Sequence, residues 1–241
     1  MNHTNKQRIL FSLPTLVLSL MIGNALSVQP ARAQEMKLVE FHMAVLKVGP
    51  NWKGMDDEAH KKVHAEHITY FEDLVKSGRA VLGGPFTDEG EIKGVIVFRA
   101  KNADEARTWA ESAPAVKSGY LIAEMHPWWS AEVMKPANVP LKLTKAYFAF
   151  LTRGPKWTPE RTTESAEIQK AHMANINRLA EMKKLVIAGP FGDNGTLRGI
   201  FVFKVGSLEE AKQLADTDPA VQAGRLALEV RPWLVPDGML P

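Results

Sequence analysis

The chain has 241 residues, of which 45% are hydrophobic and 24% charged, and it carries a formal net charge of +3. The excess charge comes from the first 33 residues, which hold Lys6, Arg8 and Arg32 and no acid, so the 27 basic residues that remain equal the 27 acidic ones. This balance gives no electrostatic reason to expect nucleic acid or an anionic membrane as a partner, and the lack of cysteine excludes disulfides, thiol chemistry and cysteine-ligated metals.

The N-terminal 33 residues have the pattern of a secretory signal peptide. Lys6 and Arg8 precede an apolar run, Ile9–Met21, and Ala31-Arg32-Ala33 is an A-x-A cleavage signal. We therefore expect cleavage after Ala33 and a secreted or periplasmic protein. A retained membrane anchor is the alternative, but the run is short for a span of about 20 residues.

The rest of the chain repeats itself once, at a constant offset of 105 residues and without insertion or deletion between Leu38 and Trp128. The matched segments are Gly49-Pro50-Asn51-Trp52 with Gly154-Pro155-Lys156-Trp157, Gly84-Pro85-Phe86 with Gly189-Pro190-Phe191, and Pro127-Trp128 with Pro232-Trp233. We predict repeat 1 at 34–130, a linker at 131–140 and repeat 2 at 141–241. Each repeat has the usual size of a domain that folds on its own core.

Both repeats are predicted to run strand, helix, strand, strand, helix, strand. In repeat 1 the predicted elements are 37–48, a helix that opens at Asp56-Asp57 and runs to about Lys76, 80–83, 92–99, a helix that begins at Asn102, and 120–128. In repeat 2 they are 143–152, 162–182, 185–188, 197–205, 207–215 and 226–233. Asn102 with Glu105, and Ser207 with Glu210, have the spacing of capping boxes. Gly84-Pro85 is interpreted as the end of a strand, Asn194-Gly195 as a hairpin turn, and the matched Asp88 and Asp193 as turn residues.

The order βαββαβ is the ferredoxin-like plan, an antiparallel sheet with both helices on one face. The other face of the sheet must be buried, and the second copy is the simplest partner. The predicted fold is therefore α+β: two tandem ferredoxin-like repeats packed sheet to sheet as an intramolecular dimeric α+β barrel. The alternative is that the sheets pair between chains in a larger homo-oligomer.

Several short motifs of both repeats together resemble the YCII (YciI-like) domain family. They are His67, Gly78-Arg79, Gly84-Pro85, Pro114, Gly119 and Pro127-Trp128 in repeat 1, and His172, Gly189-Pro190, Asp218-Pro219, Gly224 and Pro232-Trp233 in repeat 2. The resemblance implies a dimeric α+β barrel with a His–Asp pair at the active site. Most members have no settled reaction. A minority resemble lyases that act on chlorinated aromatic breakdown products, and muconolactone isomerase shares the fold.

The resemblance places the His–Asp pair at His172 and Asp218, whereas repeat 1 has His67 but Ala113 in place of the acid. His172 is in helical register with Ile168 and Leu179, so it lies near the stripe that faces the sheet. A carboxylate beside it would fix the imidazole tautomer and favour a general base.

Alternatives to the dyad stay open at this point. His172 could be a buried structural histidine, and Asp218 could only start the turn at Pro219. Asp216 is a reserve acid, and Glu111 of repeat 1, which matches it, could partly replace the missing carboxylate there.

His60, His64 and His67 lie on one helix face, which could indicate a metal site or an exposed polar face; repeat 2 has Ser165 and Gln169 at the first two positions. The matched tryptophans, Trp52 with Trp157 and Trp128 with Trp233, favour packing over a pocket for an aromatic ligand.

The sequence as a whole predicts an exported, cofactor-independent lyase or isomerase that acts on a small, aromatic or lactone-like molecule. His172 would be the general base, Asp218 would orient it, and His67 is the further catalytic candidate. No phosphate loop, H-E-x-x-H or G-x-S-x-G motif occurs, and no cofactor is expected. The alternative is a non-catalytic binding or structural protein. A small molecule is the expected partner, no membrane contact is expected after signal cleavage, and further homo-oligomerisation is open.

Overall fold

The computed structural model describes residues 37–53 and 57–241, which contain the same order of elements twice. Repeat 1 contains β1 (Leu38–Val48), α1 (Glu58–Lys76), β2 (Ala80–Pro85), β3 (Ile92–Phe98), α2 (Ala103–Ser112), α3 (Pro114–Lys117) and β4 (Leu121–Ala131). Repeat 2 contains β5 (Leu143–Arg153), α4 (Thr163–Glu181), β6 (Leu185–Pro190), β7 (Leu197–Phe203), α5 (Leu208–Ala215), α6 (Pro219–Gln222) and β8 (Leu226–Pro236). The predicted order is confirmed, with one short extra helix before the last strand of each repeat.

The predicted signal peptide lies outside the described residues. Among the helices that are described, none combines the length and the apolar character needed to cross a membrane.

The second helix of each repeat begins as predicted, but the glutamate in its first turn does not complete a capping box. Its carboxylate accepts from the amide of the residue before the N-cap, not from the amide of the N-cap residue. Asn102 accepts a hydrogen bond from the amide of Glu105 at 2.9 Å, and the Glu105 carboxylate accepts from the amide of Lys101 at 2.8 Å rather than from Asn102. Ser207 and Glu210 bond in the same way. The reciprocal box is therefore wrong in detail, although the side-chain caps satisfy the free amides of each first turn.

The first helix of each repeat ends in a left-handed residue, which only repeat 1 supplies as glycine. Gly78 has φ +71°, and an added Cβ there would meet nothing within 4 Å. The matched Lys183 has φ +56°, where an L-residue is strained by roughly 1–2 kcal/mol. Lys183 therefore introduces backbone strain in repeat 2 that Gly78 avoids in repeat 1.

We expect Lys183→Gly to raise the free energy of unfolding by about 0.5–1 kcal/mol, because the relief of strain exceeds the entropy that glycine loses on folding. Urea denaturation of the wild type and the variant measures the change. The matched exchange Gly78→Lys should lower stability by a similar amount, and a stabilising Gly78→Lys would contradict the argument.

Each repeat forms a four-stranded antiparallel sheet, in the order β2-β3-β1-β4 and β6-β7-β5-β8. In repeat 2 one face of the sheet packs on both helices; its buried residues are Tyr147, Ala149, Leu151, Phe201 and Phe203, with Ile176 and Leu179 of α4 and Ala211 and Ala215 of α5. On the opposite face, Phe148 and Phe150 meet Phe86 of repeat 1 with ring centroids 5.5 and 5.9 Å apart. The helices therefore lie outside and the second sheet face lies between the repeats, as predicted.

The two sheets also join at their edges, along two seams that we name by their strands, β2/β8 and β4/β6. Phe86 pairs with Trp233 at the first seam and Trp128 with Phe191 at the second. The amide of Thr87 donates to the carbonyl of Pro232 at 3.2 Å at the β2/β8 seam. The eight strands thus close into one barrel within a single chain, which confirms the predicted intramolecular pairing.

The repeated Gly-Pro and Pro-Trp motifs build these seams. The indole of Trp233 donates to the carbonyl of Gly84 at 2.9 Å, and that of Trp128 donates to Gly189 at 3.1 Å. Both tryptophans are fully buried, so their interpretation as packing residues is confirmed. The interpretation of Gly84-Pro85 as the end of a strand is confirmed, because β2 ends at Pro85 and β6 at Pro190.

Each seam also carries an ionic contact between the repeats, made by the aspartates interpreted as turn residues. Asp88 accepts two hydrogen bonds from the buried guanidinium of Arg231, whose Nε lies 2.8 Å from Oδ2. Those hydrogen bonds hold the pKa of Asp88 below its ordinary value, against the opposing effect of burial. At the matched place, Oδ2 of Asp193 lies 2.6 Å from Nδ1 of His126. Turn geometry is thus only part of what these aspartates do: they also join the two repeats.

The predicted hairpin at Asn194-Gly195 is present between β6 and β7, but by a different turn. The amide of Gly195 donates to Oδ1 of Asp193 at 3.2 Å, and neither Asn194 nor Gly195 is among the described residues with positive φ. The aspartate side chain, not a left-handed Asn-Gly pair, therefore organises this connection.

Candidate functional site

In repeat 2 a histidine and an aspartate meet between α4 and α6. Nδ1 of His172 lies 2.7 Å from Oδ2 of Asp218. The side chain of His172 is 10% exposed and that of Asp218 is fully buried. The other oxygen of Asp218, Oδ1, accepts the amide of Ala220 at 2.9 Å and so caps α6. The two alternatives for Asp218 are therefore not exclusive, because one carboxylate orients the imidazole and starts the turn.

This contact determines which nitrogen of His172 is available. A carboxylate can only accept, so Nδ1 carries the proton that it donates to Asp218. In the neutral form of this imidazole the lone pair is then on Nε2, to which no residue of the described chain is hydrogen-bonded. The ring stacks on Phe201 with centroids 6.0 Å apart. The site therefore presents one oriented proton acceptor.

Asp216, the reserve acid, is not part of this site. It ends α5 with an exposed side chain, and the side-chain amide of Gln222 donates to its backbone carbonyl at 3.0 Å. Asp218 is the acid that the structure brings to His172.

The matched site of repeat 1 lacks its carboxylate. Ala113 is buried at the place of the acid, and Nδ1 of His67 is buried with no hydrogen-bond partner. Glu111 is exposed and does not replace it, so the suggested compensation was wrong. Burial, with a smaller effect of His64, lowers the pKa of His67 from 6.5 to about 4. His67 is therefore neutral and has no acid to orient it.

A cavity with a volume of about 480 Å³ is lined mainly by repeat 1, with α1 and the strands of the first sheet among its walls. That volume is typical of small-molecule sites. His67 and Trp52 line it, whereas His172 does not. Trp52 therefore takes the pocket role that was the alternative for the matched tryptophans.

The three histidines of α1 lie together on the cavity wall, but they are not arranged as a metal site. Within residues 37–53 and 57–241, no group of three or more His, Cys, Asp or Glu side chains could hold a metal ion. The ring of His60 stacks on Tyr120 at 4.7 Å and meets the edge of Trp52 at 4.6 Å. The alternative of an exposed polar face was wrong for His60, which is 3% exposed.

Sequence reasoning missed one polar residue beside the dyad. Asn175 lies one turn after His172 on α4, is buried, and accepts from Nη2 of Arg178 at 2.7 Å. The hydroxyl of Thr217, next to Asp218, lies 3.3 Å from the same oxygen. Comparison of the two repeats could have pointed to Asn175, because repeat 1 has Tyr70 at the matched position.

We expect the stability of the protein to fall as the pH drops from about 6.5 towards 4. Between these pH values His67 is protonated in the unfolded chain but not in the folded chain. Protonation therefore favours the unfolded chain and lowers the free energy of unfolding by up to about 3 kcal/mol. His67→Phe should flatten this part of the pH profile, measured by urea denaturation at half-unit intervals from pH 4 to 8. An equally steep profile in the variant would contradict the assignment.

Two solved structures share the fold described above. One is a mutant chlorite dismutase from Candidatus Nitrospira defluvii in complex with cyanide, at 12% identity and a TM-score of 0.52, covering 84% of this chain and 92% of that one. The other is a heme-binding protein from Thermus thermophilus, at 13% identity and a TM-score of 0.51, covering 84% of this chain and 94% of that one. At these identities the likeness shows the fold alone.

Sequence similarity identifies the family. Over 76 residues, 30% of its length, the chain is 32% identical to the Uncharacterized protein YjpA of Bacillus subtilis (strain 168) and covers 87% of that protein. The model of the YCII-related domain matches residues 36–128 and again 148–234. The chain therefore belongs to the YCII-related domain family, of which it contains two tandem copies.

Proposed function

We propose that this protein is a cofactor-independent acid–base enzyme of the lyase or isomerase type, with His172 as general base and Asp218 as its positioning residue. The observation that carries the proposal is the 2.7 Å contact between Nδ1 of His172 and Oδ2 of Asp218, both side chains being buried. The proposed substrate is a small lactone or aromatic compound with an acidic C–H bond.

The proposed reaction is a proton shift within one molecule. Nε2 of His172 removes a proton from carbon, and the electron pair left behind spreads into the adjacent carbonyl. The imidazolium then returns the same proton to a second carbon, so neither a cofactor nor a net proton is consumed. Asp218 stabilises the imidazolium between the two steps, because its negative charge lies against Nδ1.

The proposal also includes export of the protein. Export is supported by the N-terminal signal pattern. The chlorite dismutase and heme-binding descriptions belong to those neighbours, and we carry neither over at 12–13% identity. A binding role is supported separately by the repeat 1 cavity.

The isomerisation of α-angelica lactone to its conjugated β isomer tests the proposal, since it moves one proton from C3 to C5. We expect the purified protein to accelerate this shift, followed by NMR, and His172→Gln to abolish the acceleration. Lys170→Gln, an exposed change on the same helix, should keep it. Equal rates for wild type and His172→Gln would refute the general base on this probe.

A further inference from the structure

We infer that the repeat 1 cavity is a separate binding site for a small, uncharged aromatic molecule that carries one hydroxyl group. This site differs from the proposed catalytic site in its residues and its chemistry. Four observations carry the inference: the cavity's walls, the free nitrogen of His67, the engaged acids around it, and the matched site of repeat 2.

The walls of the cavity are mostly apolar and partly aromatic. They come from β1, α1, β2, β3, α3, β4 and β5 and from the segments that follow β1, β2 and β4, and they include Trp52, Phe71 and Phe86, with Ile68, Ile96 and Leu141. About 480 Å³ between such walls accommodates one or two fused rings. The apolar surface favours an aromatic ligand, since its burial there removes it from water.

His67 supplies the hydrogen bond that a hydroxyl group would need. His67 lines the cavity, and its Nδ1 is buried with no hydrogen-bond partner among the described residues, so Nδ1 is the atom to which a ligand in the cavity would bond. A neutral imidazole offers either a donor or an acceptor at that atom. A hydroxyl group serves both tautomers, because it can donate or accept.

The charged groups of the wall already have contacts, which favours an uncharged ligand. Oε1 of Glu72 accepts the amide of Leu141 at 2.9 Å, and Asp88 binds Arg231. Lys93 lies over the ring of Trp52, 4.9 Å from its centre. A carboxylate in the cavity would lose its hydration opposite a neutral His67, and only Lys93 could offset that loss.

The two matched sites have therefore taken different forms. In repeat 2 the carboxylate of Asp218 orients His172, and Phe201 packs on the ring. In repeat 1 the matching residues are Ala113 and the smaller Ile96, which lines the cavity. The inference does not depend on catalysis at His172, because no residue of that dyad lines the cavity.

Calorimetric titration of the full chain with 2-naphthol tests the site. We expect one molecule to bind per chain. His67→Phe, which keeps an aromatic ring but cannot hydrogen-bond, should weaken binding about 3- to 10-fold through the loss of one hydrogen bond. Ile68→Trp should weaken it at least as much, by filling the mouth of the cavity from a residue that is 45% exposed and so tolerates the change.

Met173→Trp is the matched control, since Met173 occupies the place of Ile68 in repeat 2 and is 44% exposed. It should leave the affinity for 2-naphthol unchanged. Absence of binding, two molecules per chain, or affinities insensitive to both His67→Phe and Ile68→Trp would overturn the inference. Tighter binding of 2-naphthoate than of 2-naphthol would overturn the uncharged ligand class. None of these results depends on the lactone assay, so the two proposals fail independently.

Discussion

Asp218→Asn is expected to lower the rate of lactone isomerisation by roughly 10²–10⁴-fold, the range that a well-placed general base contributes. Asparagine keeps the shape of the side chain, and its carbonyl can still accept the amide of Ala220. Its NH₂ group then points at Nδ1 of His172, which must accept. The proton of the neutral imidazole moves to Nε2, the atom that has to take the substrate proton. The loss is therefore one of tautomer and of imidazolium stabilisation, not of folding.

Two measurements separate this explanation from a general loss of structure. Nitrogen-15 NMR distinguishes the tautomers, and we expect His172 to be protonated on Nδ1 in the wild type and on Nε2 in Asp218→Asn. Asp216→Asn removes an exposed charge two residues away and should change neither the tautomer nor the rate. An unchanged rate in Asp218→Asn, with the tautomer also unchanged, would show that Asp218 is only the cap of α6.

The dyad could be predicted only through the resemblance to the YCII family, which pairs His172 with an acid 46 residues away; local patterns supplied the position of each residue but not the pairing. Helical register placed His172 towards the sheet, and the Asp218-Pro219 turn fixed the acid at the start of α6. The cavity could not be predicted, because it depends on the volumes of residues from several elements. Ile96 and Phe201 occupy matched positions, and no periodic pattern shows that one leaves space where the other packs on a histidine.

The fold shows the same contrast. Alternation within each strand and the repeat itself gave the order of the elements and the pairing of the two copies. The seams were missed because their contacts join residues more than 50 positions apart, such as Trp128 with Gly189. Gly84-Pro85 and Asp88 have ordinary local interpretations, as a strand end and a turn, and only the second repeat lying alongside gives them their other role.

Gly189→Ala is expected to destabilise the protein by about 3 kcal/mol or more, at the upper end of overpacking effects. An added Cβ would lie 1.9 Å from the backbone carbonyl of Trp129, and backbone at the β4/β6 seam cannot move aside as a flexible side chain can. The seam would have to separate, which also breaks the hydrogen bond from the buried Trp128 indole to Gly189. Denaturation followed by tryptophan fluorescence measures the loss.

The control is Gly206→Ala, where the added Cβ would meet only the Glu210 carboxylate at 3.6 Å, an ordinary contact. It should change the unfolding free energy by less than about 1 kcal/mol, the intrinsic difference between the two residues. If Gly189→Ala is no more costly than Gly206→Ala, the repeats do not depend on close backbone contact at this seam. If Gly189→Ala is far more costly than Gly206→Ala, glycine recurs at Gly84 and Gly189 because the backbones of the two repeats approach closely there. Binding of a ligand is then not needed to explain these glycines. The Gly-Pro motif would then be a requirement of the paired fold, separate from the chemistry at His172.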